Sequence, residues 1–194
     1  MPRTKTLSDE DLLDTAVKLM HERGPEAVTF AELARACGLS ASTLVQRFTS
    51  KRELVRSTLL HAWDRLDGRT AALAATLPKT PDGAVELLAQ LSVSYGDIET
   101  YADGLLILRE DLRDPVLRAR GVAWKIALSR ALDDCFGPAS RRRHGIGLLM
   151  AAQWQGSLLW WSFEPSENVE DFVREHLKLF LSAIGRPGRA RRGS

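Results

Sequence analysis

The chain has only two cysteines, Cys37 and Cys135, with no Cys-x-x-Cys spacing anywhere in its 194 residues. That excludes a disulfide framework and a thiolate zinc site, and it fits a reducing compartment. Alternating Val/Ile/Thr runs bounded by hairpin dipeptides are almost absent, which argues against sheet. No apolar run reaches the roughly 20 residues that a membrane helix needs. The longest suspect, "LLMAAQWQGSLLWW", is broken by Gln153, Gln155 and Gly156, and "MPRTKTLSDE" has no signal-peptide core. The expectation is a soluble, cytoplasmic protein.

Charge of one sign is also missing. Lys and Arg number 27 against 25 Asp and Glu, a net charge of +2, so any surface for nucleic acid must come from local clustering. There is no Gly-x-Ser-x-Gly, no phosphate-cradling glycine loop and no dense acid/base constellation. The four histidines, His21, His61, His144 and His176, show no i,i+4 pairing. We therefore expect no enzyme activity, no cofactor and no metal.

What is present is helical periodicity. Hydrophobic residues make up 44% of the chain, enough to bury a core, and they recur at helical spacing nearly throughout. The fold class is all-α, with about nine helices. The first runs from Ser8 to Arg23, capped by Ser8, with Asp9, Glu10 and Asp11 in its first turn and Gly24-Pro25 as its stop. Thr29 with Glu32 predicts a capping box for a second helix ended by Gly38, Ser40 caps a third over about 41–47, and Ser50 with Glu53 predicts another box launching a fourth to about Leu77. Further helices are expected near 84–95, 101–112, 115–135, 141–162 and 169–184. The domains are read as 1–54 for DNA binding, with helix 4 starting at about 51 and bridging onward, 55–185 for ligand binding and dimerisation, and 186–194 as a disordered basic tail.

The second and third helices have the form of a helix-turn-helix, in which one helix braces another that enters the major groove. Ala34, Leu39, Leu44 and Phe48 supply a shared apolar side, and Gly38 supplies the turn. Ala41, Ser42, Thr43, Gln46 and Arg47 are left facing outward. Charge follows the same division. From Leu33 to Arg56 stand Arg35, Arg47, Lys51, Arg52 and Arg56 against Glu53 alone, whereas the first 32 residues carry an acidic excess.

The stretch "GPEAVTFAELARACGLSASTLVQRFTSKREL" resembles the N-terminal domain of TetR-family transcriptional repressors over roughly Leu7 to Leu60. Thr29, the Ala34/Gly38/Ser40 frame, Thr43-Leu44, Phe48 and Ser50-Lys51 carry the likeness. It implies that Ala41, Ser42, Thr43 and Gln46 face base edges while Thr29 and Lys51 hold phosphates. Two positions depart from the family's habit. Its usual tyrosine after Leu44 is Val45, which cannot give a phosphate hydrogen bond, and its usual histidine or tyrosine before Phe48 is Arg47, which can serve phosphate or base.

By the same resemblance the rest of the chain is a ligand-binding and dimerisation domain. Tyr101, Arg109, Trp124, Trp154, Gln153 and Gln155 are the candidates for lining a pocket. Two stripes on the penultimate helix imply two neighbours: Met150, Trp154, Leu158 and Trp161 on one side, Gly145, Leu149, Ala152, Gly156 and Leu159 on the other. The second stripe, with Val173, Leu177, Phe180 and Ile184 of the last helix, is the candidate dimer interface, although the two stripes are interchangeable on this evidence. The expected function is a homodimeric repressor on a palindromic double-stranded DNA operator, released by a lipophilic or aromatic small-molecule effector. The alternatives are a ligand-independent DNA-binding or architectural protein, and a redox-responsive regulator acting through Cys37.

Overall fold

A computed structural model describes residues 7–137 and 145–185 of the chain. Among them are nine α-helices and no strand: α1 (Asp9–Arg23), α2 (Phe30–Cys37), α3 (Ala41–Phe48), α4 (Lys51–Thr76), α5 (Pro81–Ser92), α6 (Ile98–Arg113), α7 (Pro115–Asp133), α8 (Ile146–Phe163) and α9 (Val169–Gly185). The fold is all-α, as expected. The proposed basic tail, Arg3 and Lys5, and the anticipated helix start at 141 lie outside the described residues.

Capping chemistry fixes the short helices. Ser8 accepts from the Asp11 N–H at 3.1 Å while the Asp11 carboxylate accepts from the Ser8 N–H at 3.0 Å, a complete capping box. The expected box at Thr29 is only half formed. Its hydroxyl accepts from the Glu32 N–H at 3.1 Å, but its own N–H is taken by the Ala27 carbonyl at 2.9 Å. Glu32 is thereby freed to pair with Arg23 and Arg35. Gly38 ends α2 in the left-handed conformation, with φ at 67°, where a side chain would cost strain. At the start of α5 the structure extends the expected helix: Thr80 accepts from the Gly83 N–H and Pro81 takes the first helical position, where a missing N–H costs nothing.

Packing divides the chain into two compact units. The first joins the described residues up to Arg69 with Ile98–Trp124. Its core gathers Leu12, Ala16 and Met20 of α1, Leu33 of α2, Leu44 and Phe48 of α3, Leu54 and Leu59 of α4, and Leu117 of α7. Every fully buried leucine there contributes roughly 1.5–3 kcal/mol, so the short α2 and α3 are stabilised by this core more than by their own propensity. Helix α6 packs against α1 within the same unit.

The second unit holds Thr70–Asp97 and the described residues from Lys125 onward. Here α9 packs on α5 and α8, burying Leu87, Leu88, Met150, Trp154, Leu158, Val173 and Leu177. Close approach of α8 to the end of α7 depends on Gly147, where a Cβ would lie 2.1 Å from the Ser129 carbonyl oxygen. Asp133 accepts from the Gly147 N–H at 2.7 Å and so occupies a free donor at the start of α8.

Candidate nucleic-acid interface

Helix α3 buries Leu44 and Phe48 and turns the remaining side chains outward. Ala41, Ser42, Val45 and Gln46 are exposed and Thr43 is half-buried, so the face expected to meet base edges is formed and open. Ser40 organises it. Its hydroxyl accepts from the Thr43 N–H at 3.2 Å and lies 2.8 Å from the hydroxyls of both Ser42 and Thr43. Capping the helix and ordering two outward hydroxyls are thus the work of one side chain.

The flanking cations are not equivalent. Lys51 is exposed at the first turn of α4, its ammonium 3.3 Å from Glu26 Oε2. Both partners face solvent, so the pair is worth little and opens at small cost. Thr29 uses its oxygen as the α2 cap, which leaves its O–H able to donate outward. Arg47, by contrast, donates from Nη1 to the Leu7 carbonyl and to Asp9 Oδ1, both at 2.9 Å. Its side chain is 26% exposed, and in this state it fastens the start of α1 to the reading helix. Arg52, exposed beside Lys51 in the first turn of α4, was overlooked as a candidate. Its place in a first turn beside free backbone N–H groups is the signal that could have found it.

Behind this face, Arg56 Nε and Nη2 donate to Asp114 Oδ2 at 2.9 and 2.7 Å. Asp114 Oδ1 accepts from the Val116 N–H at 2.8 Å. One carboxylate therefore caps α7 and grips α4 near its start. The Arg56 hydrogen bonds hold the Asp114 carboxyl below its ordinary range, so the grip is ionised at neutral pH. Asp14 is likewise held low, first by its hydrogen bond to His61 and then by Arg65.

The pocket candidates fall in different places. Tyr101, Arg109 and Trp124 belong to the first unit, and Gln153, Trp154 and Gln155 to the second. Trp154 is buried and donates from Nε1 to the Ser92 hydroxyl at 2.8 Å, a satisfied core position. Gln153 is half-buried and Gln155 exposed, as is Arg109, while Tyr101 is buried. Trp124 stands against Trp63, with ring centroids 5.9 Å apart. Trp63 Nε1 donates to Asp111 Oδ1 at 3.1 Å, and burial pushes the Asp111 carboxyl up to about 6. Composition had not singled out Asp111, because nothing local distinguishes it from the neighbouring surface acids.

Among the interface candidates, Leu149, Ala152, Leu159 and Ile184 are exposed, and Gly145, Gly156 and Phe180 are half-buried. Val173 and Leu177 are 0% exposed. Those two are core residues of their own unit, and a partner cannot reach them. Trp160 and Phe163, 69% and 75% exposed, extend the apolar face of α8 and had not been assigned to it.

Among the described residues no helix is long and apolar enough to cross a membrane. The family model described as "Bacterial regulatory proteins, tetR family" matches residues 12–58. The HTH-type transcriptional repressor KstR2 of Rhodococcus jostii is 29% identical over 110 residues, 57% of this chain and 52% of that protein. The repressor ComR of Escherichia coli is 34% identical over 106 residues, 54% of this chain and 50% of that one. The match thus spans about half the length of the curated relatives. Among solved structures, the TetR-family regulator PfmR of Thermus thermophilus covers 88% of this chain and 97% of its own at a TM-score of 0.61 and 20% identity. The multidrug binding protein EbrR, complexed with imidazole, covers 92% and 96% at 0.60 and 16%. Residues 12–58 thus carry the helix-turn-helix domain of the tetR family of bacterial regulatory proteins, and the chain shares the all-α fold of these solved structures over most of its length.

Proposed function

We propose that the protein is a DNA-binding transcriptional repressor that acts as a homodimer on a near-palindromic operator and is released by a small-molecule effector. The observation that carries the reading is α3. It is a capped helix with its apolar side buried and Ala41, Ser42, Thr43 and Gln46 turned outward, flanked by Thr29 and Lys51 for phosphate. Gln46 suits bidentate pairing with adenine, and the Ala41 and Thr43 methyls suit a thymine methyl. Two matched relatives are named as transcriptional repressors.

Dimerisation is supported by the apolar face of α8, where Leu149, Leu159, Trp160 and Phe163 are all exposed and small residues at Ala152 and Gly156 permit close helix approach. A two-fold dimer presents two copies of α3 and therefore reads two half-sites. Effector control is supported by EbrR, a protein of the same fold described as multidrug binding. For release, the effector must bind the DNA-incompetent conformer more tightly, since equal affinity shifts nothing.

Selection of bound fragments from random duplex DNA tests the reading. A palindromic consensus, bound at two chains per duplex, is expected. Retention without any enriched sequence would sink it in favour of an architectural protein.

A further inference from the structure

Asp111 lies on α6 within the first unit and is 8% exposed. One carboxylate oxygen is held by Trp63 Nε1 of α4 at 3.1 Å, and the other has no hydrogen-bond partner among the described residues. Among the described residues no cation pairs with the group. Arg120 is engaged by Asp64 and Asp67, Arg56 by Asp114, and Arg113 by Glu110. The single described polar side-chain atom that is both enclosed and unbonded is Ser129 Oγ, so the second Asp111 oxygen still has an opening to solvent. Trp63, which donates to the carboxylate, lies 5.9 Å from Trp124 of α7 between ring centroids, with the planes inclined at 57°. Gly121 of α7, one turn before Trp124, also lies against the Trp63 ring, where a Cβ would come within 3.5 Å of it.

A carboxylate removed from water without a counter-charge is unfavourable unless it takes up a proton or a cation. Indole faces attract cations within about 6 Å of the ring centroid and accept the apolar part of an organic cation that a metal ion lacks. We propose that Asp111, Trp63 and Trp124 form a binding site for an organic ammonium ion, a protonated amine or quaternary ammonium with an apolar body. This names the chemical class of the effector and rests on the effector-responsive reading for its biological role. The binding itself does not depend on DNA. Burial raises the carboxyl only to about 6, so it is ionised and ready for such a ligand at neutral pH. Asp111 supplies the charge, and the hydrogen bond from Trp63 fixes the direction in which that charge points. The tilted indole pair supplies the apolar walls.

The test uses the full chain without DNA and follows tryptophan emission during titration with benzyltrimethylammonium and with its neutral isostere neopentylbenzene. Saturable quenching by the cation, at least tenfold tighter than by the isostere and weakened at least tenfold in Asp111→Asn, is the expected result. Equal affinity for the two probes, no quenching, or an unchanged cation affinity in a folded Asp111→Asn would overturn the proposal. The isostere comparison needs no variant, so it decides the matter even if Asp111→Asn does not fold. Operator release by the cation is measured separately by gel shift. Binding without release leaves the site intact and removes only its assignment as the effector site.

Discussion

Replacing Asp111 by Asn should stabilise the protein at neutral pH, and by an amount that depends on pH. The carboxyl is raised from 3.8 to about 6 by burial. At about 1.4 kcal/mol for each pKa unit, the ionised form costs the native state about 3 kcal/mol. The sign follows from where the proton sits. Below the unfolded value both states are protonated and no penalty exists. Between 3.8 and about 6 the native state keeps its proton while the unfolded chain loses it, so stability falls as pH rises. Above about 6 the penalty is complete. Asparagine keeps the oxygen that accepts from Trp63 Nε1 and cannot ionise, although its new N–H donors cost about 1 kcal/mol if left unbonded. The variant should therefore be about 1 kcal/mol less stable than the parent below pH 4 and exceed it by about 2 kcal/mol at pH 8. Urea unfolding at fixed protein concentration across this range measures the difference. A gap that is flat with pH, or a variant less stable at pH 8, would refute the claim that Asp111 is an uncompensated buried charge.

Lys51→Ala should weaken operator binding about equally on all sequences and lower the salt slope by about 1, as read by fluorescence anisotropy over a salt series. Gln46→Ala should relax preference at one base pair per half-site, a loss of about 1–3 kcal/mol in discrimination, scored on a panel of single-substituted operators. Arg47→Ala frees the start of α1 from α3, so a loss of about 1 kcal/mol in unfolding free energy is expected, along with faster hydrogen exchange at the first turn of α1. An unchanged exchange pattern would show that the contacts to Leu7 and Asp9 do not hold in solution. Leu149→Glu with Trp160→Glu places two charges on the exposed face of α8 and should halve the mass measured by light scattering. A mass that does not change would move the interface elsewhere.

The local elements were legible because their signals are local. Ser8, Ser40 and Gly38 state their roles within four residues of the groups they serve, and the helix-turn-helix follows from them. Glu32 was misjudged because its competing partners, Arg23 and Arg35, offer charge where Thr29 offers only an N–H already taken by Ala27. The role of Arg47 was not legible either, since its partners Leu7 and Asp9 lie about 40 positions away in sequence. Long-range packing hid most. Periodicity places Val173 and Leu177 on an apolar side of α9, yet it cannot tell a core from an interface, and only the approach of α5 and α8 decides it. Asp111 reads as one more acid in "LREDLRD" until α4 covers it with Trp63.

The hydroxyl cluster at the start of α3 has a chemical consequence of its own. Ser40 has one proton and two neighbours, Ser42 and Thr43, each at 2.8 Å, and either atom of each pair can be the donor. Whichever neighbour receives that proton keeps its own hydrogen for an outside acceptor, and the other can turn its hydrogen inward and offer a lone pair. An adenine amine and a thymine carbonyl make opposite demands on a side chain. Rotation about three C–O bonds lets the same face answer either one, with no movement of the backbone that carries it.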